Sequence, residues 1–243
     1  MMPILSAQNL TISFGSNHVL KGVSFEVSEK EILGVIGPNG AGKTVMLNIL
    51  TGMLKPTGGS VHFVGRDITN MKVARRVHIG LARTFQIPRS FERMTTYENI
   101  LVGGVYGENL SEKEAGKLAM EVLETIGLTN RMNDFAGSLG LLDRKRLEIG
   151  IALASRPKLL MLDEVAGGLT DSEISNVIDI VKNVKEQGAS VIWIEHVLQT
   201  MIDGTDRVMC LAEGTDVITG LPHEVMQSKI VSDVYLGVDE DDE

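Results

Sequence analysis

The chain has 243 residues, with 23 Lys and Arg against 32 Asp and Glu, giving a net charge of −9 at pH 7. That acidic balance argues against nucleic acid as the main partner. With 43% hydrophobic and 23% charged residues the chain can bury one large core, and no apolar run reaches the ~20 residues of a membrane-spanning helix. The start, M-M-P-I-L-S-A-Q-N, lacks the basic and long apolar regions of a signal peptide. The single cysteine, Cys210, lies in an apolar segment and is expected to be a buried thiol in a reducing compartment.

Short alternating apolar patterns over 4–14 and 22–27 predict antiparallel edge strands. An apolar run over 31–36 predicts a buried strand, and the segment after residue 44 a helix with Met46, Leu47, Ile49 and Leu50 on its apolar face, closed by Gly52. Strands follow at 60–64 and 79–85, then helices at 95–102, 111–127 and 144–155. Strand and helix alternate again as a strand over 158–162, a helix over 171–187 and strands over 189–194 and 206–211. Such alternation implies an α/β fold with a mostly parallel sheet covered by helices. The helical stretch 88–157 reads as a lobe inserted into a core formed by 1–87 and 158–237, with 238–243 as an acidic, solvated tail.

Between the strand at 31–36 and its helix stands G-P-N-G-A-G-K-T: Gly37, Pro38, Asn39, Gly40, Ala41, Gly42, Lys43 and Thr44, followed by Val45. This is the phosphate-binding loop in its strand–loop–helix context. Its backbone amides can cradle phosphate oxygens at the positive end of the helix; Lys43 would reach the β- and γ-phosphates and Thr44 would hold Mg²⁺. The run Leu159–Leu162 ends in Asp163 and Glu164, at the strand end where open α/β sheets bind ligands. Asp163 would serve the metal, and Glu164 would act as general base or orient the attacking water. A strand ending in two solvated acids is the plainer alternative. Ile192–Ile194 leads to Glu195 and His196, which could sense the γ-phosphate or be an ordinary surface histidine. Gln86, after the strand 79–85, could accept from metal-bound water or orient the nucleophile.

These elements, in this order, resemble the ATPase subunit of an ATP-binding cassette (ABC) transporter, over nearly the whole chain from Ile4 to Gly237. The resemblance implies a P-loop fold of ABC type, with an N-terminal antiparallel β subdomain and an inserted helical subdomain. It also implies ATP with Mg²⁺, catalysis by Glu164, His196, Lys43 and Gln86, and metal contacts from Thr44, Gln86 and Asp163. In that family an aromatic residue stacks on adenine; Phe14 matches the position, the alternative being a Phe in the sheet core. Arg83-Thr84-Phe85-Gln86, Met94–Ile100, Arg146-Leu147-Glu148-Ile149 and Tyr235-Leu236-Gly237 are most similar to the ATPases of branched-chain amino acid importers. That implies separate membrane permeases, an extracytoplasmic solute-binding protein reached indirectly, and a place on the cytoplasmic face of the membrane. Importers of urea or other small polar solutes carry similar ATPases.

Two segments depart from the family. The signature loop, commonly L-S-G-G-Q, falls here at Leu139-Gly140-Leu141-Leu142-Asp143, and Thr170 replaces the usual Asp of the following D-loop. Such ATPases close as head-to-tail dimers in which each nucleotide meets one subunit's phosphate loop and the other's signature. The expectation is a heterodimer with a second, non-identical ATPase, against a homodimer. A regulatory module that binds nucleotide with little hydrolysis is the rival reading.

Overall fold

The computed structural model describes residues 3–86 and 89–236. Gly237 and the acidic segment 238–243 lie outside them. Four strands are continuous apolar runs and lie in a six-stranded sheet: β3 (Ile32–Ile36), β7 (Leu159–Asp163), β8 (Ser190–Ile194) and β9 (Arg207–Ala212). Runs without polar alternation suit strands covered on both faces. The order is β10-β9-β3-β8-β7-β6, with β6 at Leu81–Arg83 and β10 at Thr215–Gly220. Every pairing is parallel except β9 with β10, the edge strand, whose burial alternates.

A second, antiparallel sheet holds β1 (Leu5–Phe14), β2 (Asn17–Val27), β4 (Gly58–Phe63) and β5 (Arg66–Asp67) in the order β2-β1-β4-β5. The sequence assigns both N-terminal strands to edges; only β2 is one. β1 pairs with β2 on one side and β4 on the other, and its bulges between Ala7 and Leu10 hide that from a simple alternation count.

Two apolar clusters lie on opposite faces of the parallel sheet. One joins the antiparallel sheet to α1 (Lys43–Thr51) and to Leu33, Val35, Ile192 and Ile194. The other joins α6 (Asp171–Glu186) and three helices to Ile36, Leu160 and Trp193. Trp193 is fully buried, and truncating it to Ala would cost about 3–5 kcal/mol. In α6 the buried positions Ile174, Val177, Ile178, Val181 and Val184 follow helical periodicity. Thr170 starts this helix, its amide and hydroxyl both donating to Glu173. Thr is among the residues favoured at an N-cap, as is the Asp it replaces.

The three helices between β6 and β7 are α3 (Thr96–Gly107), α4 (Glu112–Thr125) and α5 (Leu141–Leu153). Thr95 with Glu98 and Ser111 with Glu114 cap the first two reciprocally. α3 runs five residues past its expected end, through Gly103, where a Cβ would sit 2.6 Å from the Ile151 carbonyl oxygen of α5. Glycine there admits the second helix. A short α2 (Val73–His78), α7 (Leu198–Gly204), α8 (Pro222–Met226) and α9 (Lys229–Leu236) complete the described chain. Among the described residues no helix is long and apolar enough to cross a membrane.

Candidate active site

The loop from Gly37 to Thr44 joins β3 to α1, at the C-terminal edge of the parallel sheet. Gly37 has φ 147°, and a Cβ there would lie 2.0 Å from the Leu211 carbonyl oxygen, so no other residue fits. The first turn of α1 carries no acidic residue, leaving its positive end uncompensated. Lys43 is buried and folds back on the loop, its Nζ donating to the carbonyls of Gly37 at 2.6 Å and Pro38 at 2.9 Å. Burial pulls its pKa down, opposed by the negative charge of Glu164 and Asp163.

Asp163 closes β7 and is almost fully buried. Its Oδ2 accepts from Arg83 Nη2 at 2.9 Å, and its backbone amide donates to Thr84 Oγ1 at 3.1 Å. Its Oδ1 is buried with no hydrogen-bond partner. Desolvation raises its pKa, with the Arg83 charge pulling the other way. An orphaned carboxylate oxygen suits a divalent cation, and Thr44, at the start of α1, is exposed.

Glu164 lies one residue further, with φ +53°, a conformation that costs a non-glycine residue about 1 kcal/mol. Several bonds hold it there. Its amide donates to the Ile194 carbonyl at 3.0 Å, and its own carbonyl accepts from Lys145 Nζ at 3.1 Å. The carboxylate is gripped from both sides: Oε2 accepts from Gln86 Nε2 at 2.6 Å, and Oε1 lies 2.6 Å from His196 Nε2. Three residues from three strand ends thus meet at one carboxylate, because β7 lies between β6 and β8.

Phe14 ends β1 and is 51% exposed, so it is not a core residue. It pairs with Asn17 across the hairpin, and Val19 and Leu20 of the same strand lie against Gly42. The residue is thus half exposed on the hairpin whose second strand approaches the phosphate loop. Cys210 is buried as expected, and desolvation pushes its thiol up to about 11.

Residues to which sequence reasoning gave no role in the site complete it. Arg83 bonds both Asp163 and Asn48 of α1. Glu195 is buried and accepts from the Ala166 amide at 2.6 Å, holding the turn after Glu164. Tyr235 of α9 accepts the Gly37 amide at 2.9 Å, tying the end of the described chain to the phosphate loop. For Arg83 the signals available were a charge at the end of an apolar strand and its place in the Arg83–Gln86 run that carries the family resemblance.

The altered loop Leu139–Asp143 is closed upon itself. Arg144 donates to the carbonyls of Leu139 at 2.9 Å and Gly137 at 2.6 Å, and Ser138 Oγ donates to Phe135 O at 2.7 Å. Ser138, the nearest serine to the altered signature, is thus bonded within its own turn. Asp143 turns toward Arg146 at 3.4 Å and Arg131 at 3.9 Å.

The ABC transporter family model matches residues 20–167. This chain belongs to the ABC transporter ATPases. It is 35% identical to the high-affinity branched-chain amino acid transport ATP-binding protein BraF of Pseudomonas aeruginosa, over 97% of this chain and 98% of that protein. Similarity extends to LivG of Escherichia coli (33%) and to the lipopolysaccharide export ATP-binding protein LptB of Haemophilus influenzae (31%), each over 97% of this chain and 98% of the relative. A solved ATP-binding cassette of an ABC transporter superposes with a TM-score of 0.91 at 31% identity, covering 98% of this chain and all of that one. Its ADP conformation gives 0.89 at 30%, with the same coverage. The cassette is an ATP-binding, transport-coupled ATPase of P-loop ABC fold, and cassettes of this kind work in pairs on membrane permeases.

Proposed function

We propose that this cassette hydrolyses ATP in an importer for a small solute, and that the solute class is branched-chain amino acids. The hydrolytic reading is carried by one observation: the Glu164 carboxylate held between Gln86 and His196, next to the orphaned Asp163 oxygen. The amides of Gly37–Val45 would cradle the triphosphate, and Lys43 would leave its two loop carbonyls for the phosphate oxygens. Phe14 would stack on adenine. Thr44, Asp163 and Gln86 would hold Mg²⁺, which when bound offsets phosphate charge. Glu164 would take the attacking water's proton or orient that water, and His196 would hold the carboxylate and meet the γ-phosphate.

The chain is organised, on this reading, as one cassette with the helical stretch 88–157 inserted into a core of 1–87 and 158–237. Its partner is a second, non-identical ATPase. Gly140 lacks the hydroxyl, Leu142 adds bulk where glycine is usual, and Asp143 carries the wrong charge for polyphosphate. The pocket of this chain would be completed by the partner's signature, and the partner's pocket would be weak. A homodimer with two weak sites is the alternative. Permeases would dock beside the Gln86 loop, where Arg89, Phe91 and Arg93 are exposed. Arg89 stacks on Phe85 at 4.4 Å, and Phe85 lines an apolar groove of about 360 Å³ with Met53, Val77, Val102 and Tyr106. The complex would sit at the cytoplasmic face of the membrane, receiving solute from an extracytoplasmic binding protein.

The amino-acid assignment is supported by the BraF and LivG relatives, and LptB marks the competing export role. Glu164→Gln tests the hydrolytic reading: turnover should fall about a thousandfold while ATP stays bound. Retained turnover would leave only the regulatory module. Deleting the gene should abolish uptake of labelled leucine by the host; unchanged uptake would remove that solute class.

A further inference from the structure

α5 starts at the altered loop and ends in the core, and two of its charged residues lie where apolar ones belong. Lys145 and Glu148 are each 6% exposed, three residues apart and so on one helical face. Lys145 donates to the Glu164 carbonyl. Glu148 Oε1 accepts the backbone amide of Phe85 at 2.5 Å, and Phe85 directly precedes Gln86. The same helix therefore bonds the backbone on both sides of the Gln86–Glu164 contact.

The Phe85 ring is contacted by Arg83, 4.7 Å from its centroid, and by Arg89, at 4.4 Å. Burial of a carboxylate is costly unless it is paired and hydrogen-bonded. The cations facing Glu148 are Lys145 from its own helix, Arg83 from β6 and Arg89 from the following loop. None of them makes a direct ion pair with it at hydrogen-bond distance among the described residues. What Glu148 does contact is the amide next to Gln86. A core helix seeking stability alone would place an apolar residue there.

We propose that Glu148 is a positioning residue for ATP hydrolysis: by holding the Phe85 amide it sets where Gln86 meets Glu164, and it ties that meeting point to the helix that begins at the loop offered to the partner cassette. This rests on the reading of Gln86 and Glu164 as the hydrolytic pair. Lys145 acts in the same direction from the other side, fixing the Glu164 backbone in its left-handed conformation. The helix then carries one chain's catalytic geometry at its buried face and the partner's contact surface at its tip.

The test is steady-state ATP turnover of the full chain in its assembled transporter, with Glu148→Met, Glu148→Gln, Gln86→Ala and the Gln86→Ala/Glu148→Met double variant. Met matches the buried volume without an acceptor, so E148M should lower kcat about tenfold and keep KM for ATP within about twofold, while the unpartnered Phe85 amide lowers Tm by a few degrees. E148Q keeps an acceptor oxygen and should restore kcat to within about threefold of wild type. The double variant should be no slower than Q86A alone, because both changes act on one group. Wild-type kcat in E148M, or its full loss repeated on top of Q86A, would overturn the Glu148 role while leaving the hydrolytic reading intact. Unchanged turnover in Q86A would instead remove Gln86 from the mechanism and take the proposal with it. If E148M does not fold, hydrogen exchange of the wild-type Phe85 amide decides: slow exchange supports the bond, and exchange as fast as an exposed loop amide overturns it.

Discussion

The crevice around Glu164 and the loop Leu139–Asp143 lie in one chain and obey opposite rules. In the crevice, local costs are left standing. Asp163 keeps a buried oxygen without a partner, Glu164 holds a left-handed backbone, and Lys43 is desolvated. Such costs persist only where the surroundings fix them, and they mark a place prepared for a ligand. Around the altered loop the polar side chains close on neighbours within the chain: Ser138 on Phe135, Arg144 on Leu139 and Gly137, Asp143 on two arginines. Side chains bonded in this way have little to offer a phosphate. The contrast is the one that the proposed pairing with a second cassette requires.

Rebuilding the loop tests the contrast hardest. The triple change Gly140→Ser, Leu142→Gly and Asp143→Gln should raise turnover of the purified chain alone about a hundredfold, the scale of regaining a transition-state hydrogen-bond donor. No gain would mean that the cassette is active as it stands, or that its pairing fails elsewhere. Adding a partner cassette with an intact signature to the unaltered chain should give a comparable rise.

A second prediction concerns the buried carboxylate behind the crevice. Burial raises the Glu148 pKa from 4.5 to about 7, so between those values the folded form holds a proton that the unfolded form has released. Stability from this group is therefore fully present below pH 4.5 and is lost as pH rises through about 7. Thermal melts from pH 5 to 8 should show wild type losing about 5 °C relative to Glu148→Gln. Parallel curves would show that the charge is already accommodated.

The smallest expected effect lies at the crevice rim. Phe14→Ala should weaken ATP affinity about threefold and leave Phe14→Tyr unchanged, since stacking needs only an aromatic face. Equal affinity in all three would take the ring out of the site.

Much of the crevice was legible because its chemistry is written in contiguous residues at strand ends: Gly37–Thr44, Asp163-Glu164, His196. The order of strands that brings Gln86 and His196 to the same carboxylate was legible only in part, as an expected neighbour relation between the strands ending in Asp163 and His196. The supporting residues were not, because their roles exist only in tertiary contact. The helix over 144–155 and the resemblance of Arg146–Ile149 were legible, but nothing in them shows that Lys145 and Glu148 fall on the buried stripe with Ala152. Tyr235 and Gly37 are 198 residues apart, and nothing local connects them. The edge elements β5, β10, α7, α8 and α9 escaped because they are short or half exposed, and weak periodicity is what such segments have.

The strand order β3-β8-β7 has a further consequence. The phosphate loop leaves β3 and the acidic pair leaves β7, so the two walls are separated by one intervening strand. Adjacent strands stand about 4.8 Å apart, which sets the gap at about 10 Å. That width is a property of backbone hydrogen bonds and not of any side chain. Substitutions can change what lines the two walls, but none can bring them closer, and the sheet works as a ruler cut to the size of a phosphoryl group and the water that attacks it.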